Sequence, residues 1–115
     1  GYRRSLKELK PSTRQRFVGL TFGYPEAAVE AEVIQRETGV ELATARRLVA
    51  LAHKVRDAGE LGLVETVSTR LLVGAATLMR SGLAPRIACS AAIVQPLTDD
   101  PTTGRALQDL ADMVF

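Results

Sequence analysis

The chain has 115 residues, enough for one domain, and its 46% hydrophobic content excludes an intrinsically disordered protein. With only 4% aromatic residues, the core is expected to be built from alanine, leucine and valine, and a net charge of +2 is too small to identify a partner. The single cysteine, Cys89, and the single histidine, His53, exclude a disulfide framework and a zinc cluster. Cys89 is best interpreted as a small buried hydrophobe. No apolar run is as long as a membrane span and no signal peptide is visible, which favours a cytoplasmic protein without membrane contact.

The first 16 residues are strongly basic. They carry six cations and one carboxylate, a local balance of +5, so the remainder of the chain has a charge of −3. Such a stretch could bind nucleic acid, a phosphate or an acidic protein surface. Only Tyr2 and Phe17 accompany the cations, whereas nucleic-acid binding usually interleaves several aromatic residues, so a nucleic-acid partner is unlikely on this pattern.

Residues 17–22 alternate larger apolar side chains with smaller or more polar ones, and this period of two predicts a short strand. A lone strand cannot satisfy its backbone hydrogen bonds and needs a sheet to join. The sequence contains no second convincing strand. The N-terminal segment is therefore expected to belong to a larger domain whose sheet lies upstream.

Helical patterns follow to the end of the chain. They predict helices over about 25–38, 41–58, 68–81, 85–94 and 101–114, with Pro25 in the first turn of the first helix and Pro96 ending the fourth. Gly39 and Gly59 are expected to stop the first two helices, and Asp99 or Asp100 to cap the last. The predicted apolar positions are Ala28, Val29 and Val33 in the first helix, Leu48, Leu51, Ala52 and Val55 in the second, Leu71, Leu72, Ala75, Leu78 and Met79 in the third, and Leu107, Leu110, Ala111 and Val114 in the last. The fold class is mainly α, a helical bundle preceded by one strand.

A Ser-Thr-Arg triplet at 68–70 stands where the third helix begins. If Ser68 is the N-cap, Arg70 occupies the second helical position, where a cation faces the positive end of the helix dipole. One interpretation is that Arg70 and the free N–H groups of this turn bind an anion such as a phosphate. The alternative is a solvated arginine, or an ion pair with Glu65 or Glu41, and the residues alone leave both open.

A second triplet, 12–14, precedes the predicted strand. Arg14 and Arg16 are expected on one side of it, opposite Phe17. They could form an arginine finger that stabilises charge on a nucleotide held by a neighbouring subunit. Basic residues that discourage pairing at a sheet edge are the more common explanation.

Three motifs in order carry a family resemblance. They are the run LKPSTRQRFV at 9–18 with Gly1 and Tyr2 before it, the run STRLLV at 68–73, and Cys89, Ala92 and PLTDD at 96–100. In this combination the chain resembles the CbbQ/NorQ/NirQ branch of the MoxR AAA+ ATPases. The first run is similar to the segment after sensor 1, the second to the sensor-2 helix, and the third to the C-terminal signature of the branch.

The resemblance implies that residues 1–24 end the AAA+ core and that residues 25–115 form the helical lid. Arg70 would then be the sensor-2 arginine that contacts ATP, with Ser68 and Thr69 beside it. Such proteins couple ATP hydrolysis to the activation of a client enzyme, for example Rubisco or nitric oxide reductase. They form rings, usually hexamers, and work with a von Willebrand A-domain partner.

In the same resemblance Arg16 matches the arginine finger that acts in trans, with Arg14 as the second candidate. The 115 residues contain neither a Walker A nor a Walker B motif, so they are not expected to hydrolyse ATP or to bind ATP and Mg²⁺ by themselves. A free-standing helical interaction module without a nucleotide role is the alternative.

Overall fold

A computed structural model describes residues 25–58 and 67–115. Within these ranges every regular element is helical, in agreement with the mainly α class predicted from the sequence. The predicted strand at 17–22, Arg14, Arg16 and the predicted helix stop at Gly59 lie outside the described residues.

The first three helices are α1 (Ala27–Thr38), α2 (Leu42–Ala58) and α3 (Thr69–Arg80). Helix α1 begins two residues after Pro25, because Glu26 is its extended N-cap. Gly39 ends it as predicted, in the left-handed conformation with φ 84°, and its N–H donates to the Gln35 carbonyl oxygen. Glycine adopts this conformation without the Cβ penalty of other residues.

Helix α4 departs from the prediction. It begins as Pro85–Cys89, widens into a π-helical segment at Ser90–Val94 and ends with the turn Gln95–Leu97. Pro96 therefore lies inside the last turn and does not stop the helix before it. In the π-helical segment the Gln95 N–H donates to the Ser90 carbonyl oxygen, five residues back. This wider turn accommodates a ring that would clash with a regular α-helical turn.

The last helix, α5 (Pro101–Val114), begins as the sequence predicts. Asp100 is its N-cap, and the carboxylate accepts a hydrogen bond of 2.8 Å from the Thr103 N–H. Pro101 occupies the first turn, where its missing N–H costs nothing.

The core lies between α2 and the helices that contact it, α1, α3 and α5, while α4 packs on α3 and α5. The predicted faces of α2 and α5 are confirmed, since Leu48, Leu51, Ala52 and Val55 are buried together with Leu107 and Ala111. The predicted face of α1 is wrong. Val29 is 48% exposed, and α1 instead buries Ala31, Ile34 and the charged Glu30.

Candidate functional site

The start of α3 has the geometry of a capped helix terminus. Ser68 is extended, with φ −101° and ψ 164°, and its hydroxyl oxygen accepts a hydrogen bond of 3.3 Å from the Leu71 N–H. The prediction that Ser68 caps this helix is confirmed. The N–H groups of Thr69 and Arg70 have no acceptor among the described residues, so both remain available to a ligand.

Arg70 is exposed at the second position of α3. It forms no salt bridge or hydrogen bond with any residue in 25–58 or 67–115. The proposed pairing with Glu41 is therefore wrong; Glu41 precedes α2 at the opposite end of the bundle, where it lines a groove with Arg80. Glu65, the other suggested partner, lies outside the described residues.

Beneath this helix start lies a buried ion pair that joins three helices. Glu30 of α1 has no solvent-exposed surface, and its two carboxylate oxygens accept hydrogen bonds from the two terminal nitrogens of Arg56 at 3.0 and 2.8 Å. Arg56, on α2, also donates from Nε to the Val67 carbonyl oxygen at 3.0 Å. The Thr69 hydroxyl donates to Glu30 Oε2 at 2.8 Å. The residues on both sides of Ser68 are thus anchored, one through its backbone and the other through its side chain.

The charge of Glu30 is maintained by these contacts. Burial by itself raises the pKa of the carboxyl group, but the hydrogen bonds from Arg56 and Thr69 and the electrostatic interactions with Arg56 and His53 outweigh burial and leave the pKa below its ordinary value. Glu30 is therefore ionised at neutral pH. Glu30 and Arg56 are joined by two parallel hydrogen bonds, and Glu30 accepts a third from the Thr69 hydroxyl. Both oxygens of the buried carboxylate therefore have hydrogen-bond partners.

The site combines an anchored helix start with the exposed, positively charged Arg70, which has no ion-pair partner among the described residues. Arg70 supplies a guanidinium group, and the helix start supplies two free N–H groups at its positive end. The guanidinium and the N–H groups are all hydrogen-bond donors, a set whose charge is complementary to an anion. Nor do the described residues include a cluster of three or more His, Cys, Asp or Glu side chains that could hold a metal ion.

Cys89 is packed in the core, as predicted. It has no exposed surface, and burial, with a smaller contribution from Asp112, raises the pKa of its thiol to about 11. A thiol that is both buried and protonated is a poor nucleophile. His53 is exposed on α2.

Sequence reasoning did not identify Glu30 and Arg56. A usable signal was present: Glu30 stands at helical spacing from the buried Ile34, and Arg56 at helical spacing from the buried Ala52. Opposite charges on the apolar faces of two neighbouring helices indicate a buried pair.

Comparison with known proteins agrees with the motifs. A family model described as CbbQ/NirQ/NorQ C-terminal matches residues 30–114, which include the whole of this site. Protein NorQ of Paracoccus denitrificans is 49% identical over all 115 residues. Denitrification regulatory protein NirQ of Pseudomonas aeruginosa is 49% identical over 113 residues, which are 98% of the chain. The matched part is 44% of the length of that NirQ protein. Protein CbbQ of Hydrogenophilus thermoluteolus is 46% identical over the whole chain.

These matches define the class as the helical C-terminal part of a group of longer proteins, since the chain spans 43% of the NorQ and CbbQ relatives. The chain belongs to the CbbQ/NirQ/NorQ C-terminal family. No helix within the described residues is both long and apolar enough to cross a lipid bilayer.

Proposed function

We propose that residues 25–115 are the lid of an AAA+ ATPase and that Arg70 binds the phosphates of ATP held by the same subunit. The observation that carries the proposal is an exposed arginine at a helix start, with no ion-pair partner in 25–58 or 67–115, whose neighbours Val67 and Thr69 are fixed by a buried ion pair. An arginine that was only a solvated surface residue would not need anchored neighbours of this kind. A guanidinium group and free N–H groups fit a phosphate in charge and donor number.

In this proposal other parts of the longer protein would hold ATP and Mg²⁺, and hydrolysis of the bond between the β- and γ-phosphates by water would drive movement of the lid. Arg70 senses the nucleotide because it contacts the phosphates from the lid. The link from Thr69 through Glu30 to Arg56 transmits the position of this contact to α1 and α2. Arg16 is proposed as the finger that reaches the nucleotide of a neighbouring subunit, with Arg14 as the alternative.

The names of the relatives support a regulatory role, since NirQ is described as a denitrification regulatory protein. We propose that the longer protein assembles into a hexameric ring and acts with a von Willebrand A-domain partner on a client enzyme of the Rubisco or nitric oxide reductase kind. The lid contributes to this activity by coupling ATP to subunit movement.

The test is ATP hydrolysis by the full-length protein. Arg70→Ala is expected to lower kcat/KM by about 10-fold to 100-fold, the loss of one charged hydrogen bond to phosphate of roughly 1.5–3 kcal/mol. Arg105→Ala is the matched control, because Arg105 is an exposed helix arginine that pairs with Asp109 on its own helix, and it should leave hydrolysis unchanged.

Arg16 is tested by mixing. An Arg16→Ala subunit and a subunit that cannot bind ATP are each expected to be inactive alone, and a mixture should recover activity if Arg16 acts in trans. Normal turnover in Arg70→Ala and in Arg16→Ala would overturn the assignment of both residues. It would favour a helical interaction module without a nucleotide role.

A further inference from the structure

A second site candidate lies at the opposite end of the bundle. There the turn between α1 and α2, the end of α3 and the chain up to the start of α4 enclose a groove of about 490 Å³. We call it the distal groove. Its apolar lining includes Met79, Leu83 and Phe115, and Leu83 is 38% exposed. A groove of this volume is large enough for a few side chains of a bound segment.

Two cations line the same groove. Arg47 and Arg80 are exposed, and neither forms a salt bridge or a hydrogen bond with any described residue. Glu41 also lines the groove and likewise has no partner in the described ranges. The lining therefore has two unpaired positive charges against one negative charge, next to apolar surface.

The distal groove is separate from the site of Arg70. Arg70 and Arg80 stand at opposite ends of α3, ten residues apart in the sequence, which is roughly 15 Å along the helix axis. The groove and the Arg70 site therefore lie at different ends of α3. The groove is nevertheless built on α1, α2 and α3, the three helices that the Glu30–Arg56 pair joins at their other ends.

We propose that the distal groove is a docking site for an acidic, leucine-rich segment of a partner protein. Apolar side chains of that segment occupy the surface formed by Met79, Leu83 and Phe115, while its carboxylates pair with Arg47 and Arg80. Arginine beside a desolvated apolar pocket is a frequent energetic centre of protein interfaces, and its bidentate donors match a carboxylate. Among the described residues of the lining, Phe115 is the only aromatic one, whereas single-strand nucleic-acid sites stack several bases on aromatic side chains.

Binding can be measured with the 115-residue chain and a defined probe. The probe is a fluorescein-labelled amphipathic peptide of leucine and glutamate, and its counterpart carries lysine in place of every glutamate. Fluorescence anisotropy should show saturable binding of the glutamate peptide to the wild-type chain. Arg47→Glu and Arg80→Glu should each raise Kd at least 10-fold, whereas the control Arg105→Glu should change it less than twofold.

Reversing the charges of the groove distinguishes a loss of binding from a loss of folding. The Arg47→Glu/Arg80→Glu double variant should lose the glutamate peptide and gain the lysine peptide, which an unfolded variant would not do selectively. Leu83→Asp tests the apolar surface and should weaken binding of the glutamate peptide.

Three outcomes would overturn the proposal. They are no binding of the glutamate peptide up to 1 mM, roughly the weakest Kd worth measuring, equal binding of the two peptides, and displacement of the peptide by inorganic phosphate or an oligonucleotide at equivalent charge. None of them bears on ATP hydrolysis, so the failure of this proposal is distinguishable from the failure of the nucleotide proposal.

Discussion

Glu30 and Arg56 are the pair on which the geometry of the Arg70 site depends. Both side chains are buried, with 0% and 8% of their surfaces exposed. A buried ion pair is weak grounds for stability by itself, because desolvation offsets most of the attraction. Its contacts to Val67 and Thr69 give it a second effect, which is to fix where α3 begins. We infer that the main effect of the pair is this positional one.

Removal of one partner gives the first stability prediction. Glu30→Ala leaves Arg56 buried without its carboxylate and should cost about 3–5 kcal/mol of unfolding free energy, measured by urea denaturation. Glu32→Ala is the matched control, because Glu32 is exposed on the same helix and should change stability by less than about 0.5 kcal/mol. Similar losses in the two variants would show that Glu30 does not hold the helices together.

The same carboxylate predicts a pH dependence. The pKa of Glu30 is lowered in the folded state, below the value of about 4.3 for an unfolded glutamate. Its stabilising contribution is therefore fully present above about pH 4.3 and is lost as the pH falls through the folded-state pKa. Urea midpoints measured from pH 6 down to about pH 3 should fall more steeply for the wild type than for Glu30→Gln.

At the scale of the helices, two glycine residues distinguish the effect of backbone conformation on stability from the effect of side-chain packing. Gly39 has φ 84°, and an added Cβ would lie 3.1 Å from Arg80 Nε. Gly39→Ala should therefore destabilise the fold by roughly 1–2 kcal/mol, the cost of a left-handed conformation for an L-residue. Gly74, in the middle of α3, has space for a Cβ at 3.7 Å from the Ala92 Cβ. Gly74→Ala should stabilise the fold by roughly 0.5–1 kcal/mol, and thermal unfolding of the two variants should shift in opposite directions.

The helices show which parts of the fold local sequence determines. Ser68, Asp100 and Gly39 act on their own backbone neighbours, and each was predicted at its helix end, Asp100 as one of two candidates with Asp99. Pro96 was misplaced because the π-helical turn that accommodates it is not a local propensity. The buried face of α1 was missed for a different reason. Glu30 is compatible with the core only because Arg56, 26 residues away, neutralises it, and a count of apolar residues in one helix contains no information about that partner.

The candidate site follows the same division at the scale of the whole molecule. The position of Arg70 was predictable, because capping and helix spacing are local. It was not predictable that Arg70 would not pair with Glu41, or that the Thr69 hydroxyl would donate to Glu30. Both depend on which ends of the helices meet in the bundle. The family motifs predict a nucleotide contact for Arg70, which stays a prediction, and they do not indicate the ion pair beneath it.

Cys89 offers a measurement of how the whole bundle opens. It is the only thiol in the chain, it is fully buried beside α3 and α5, and its pKa is raised to about 11 by burial. At pH 8 a thiol reagent should therefore react only with molecules that have opened.

If opening is global, Glu30→Ala should speed labelling by more than about 100-fold, since each 1.4 kcal/mol of lost stability gives a factor of about ten. The urea dependence of labelling should also match that of equilibrium unfolding. Labelling that ignores both Glu30→Ala and dilute urea would instead show that α4 opens locally, where its π-helical segment follows Cys89. The rate in Glu32→Ala, unchanged from the wild type, is the control that connects the measurement to the buried ion pair.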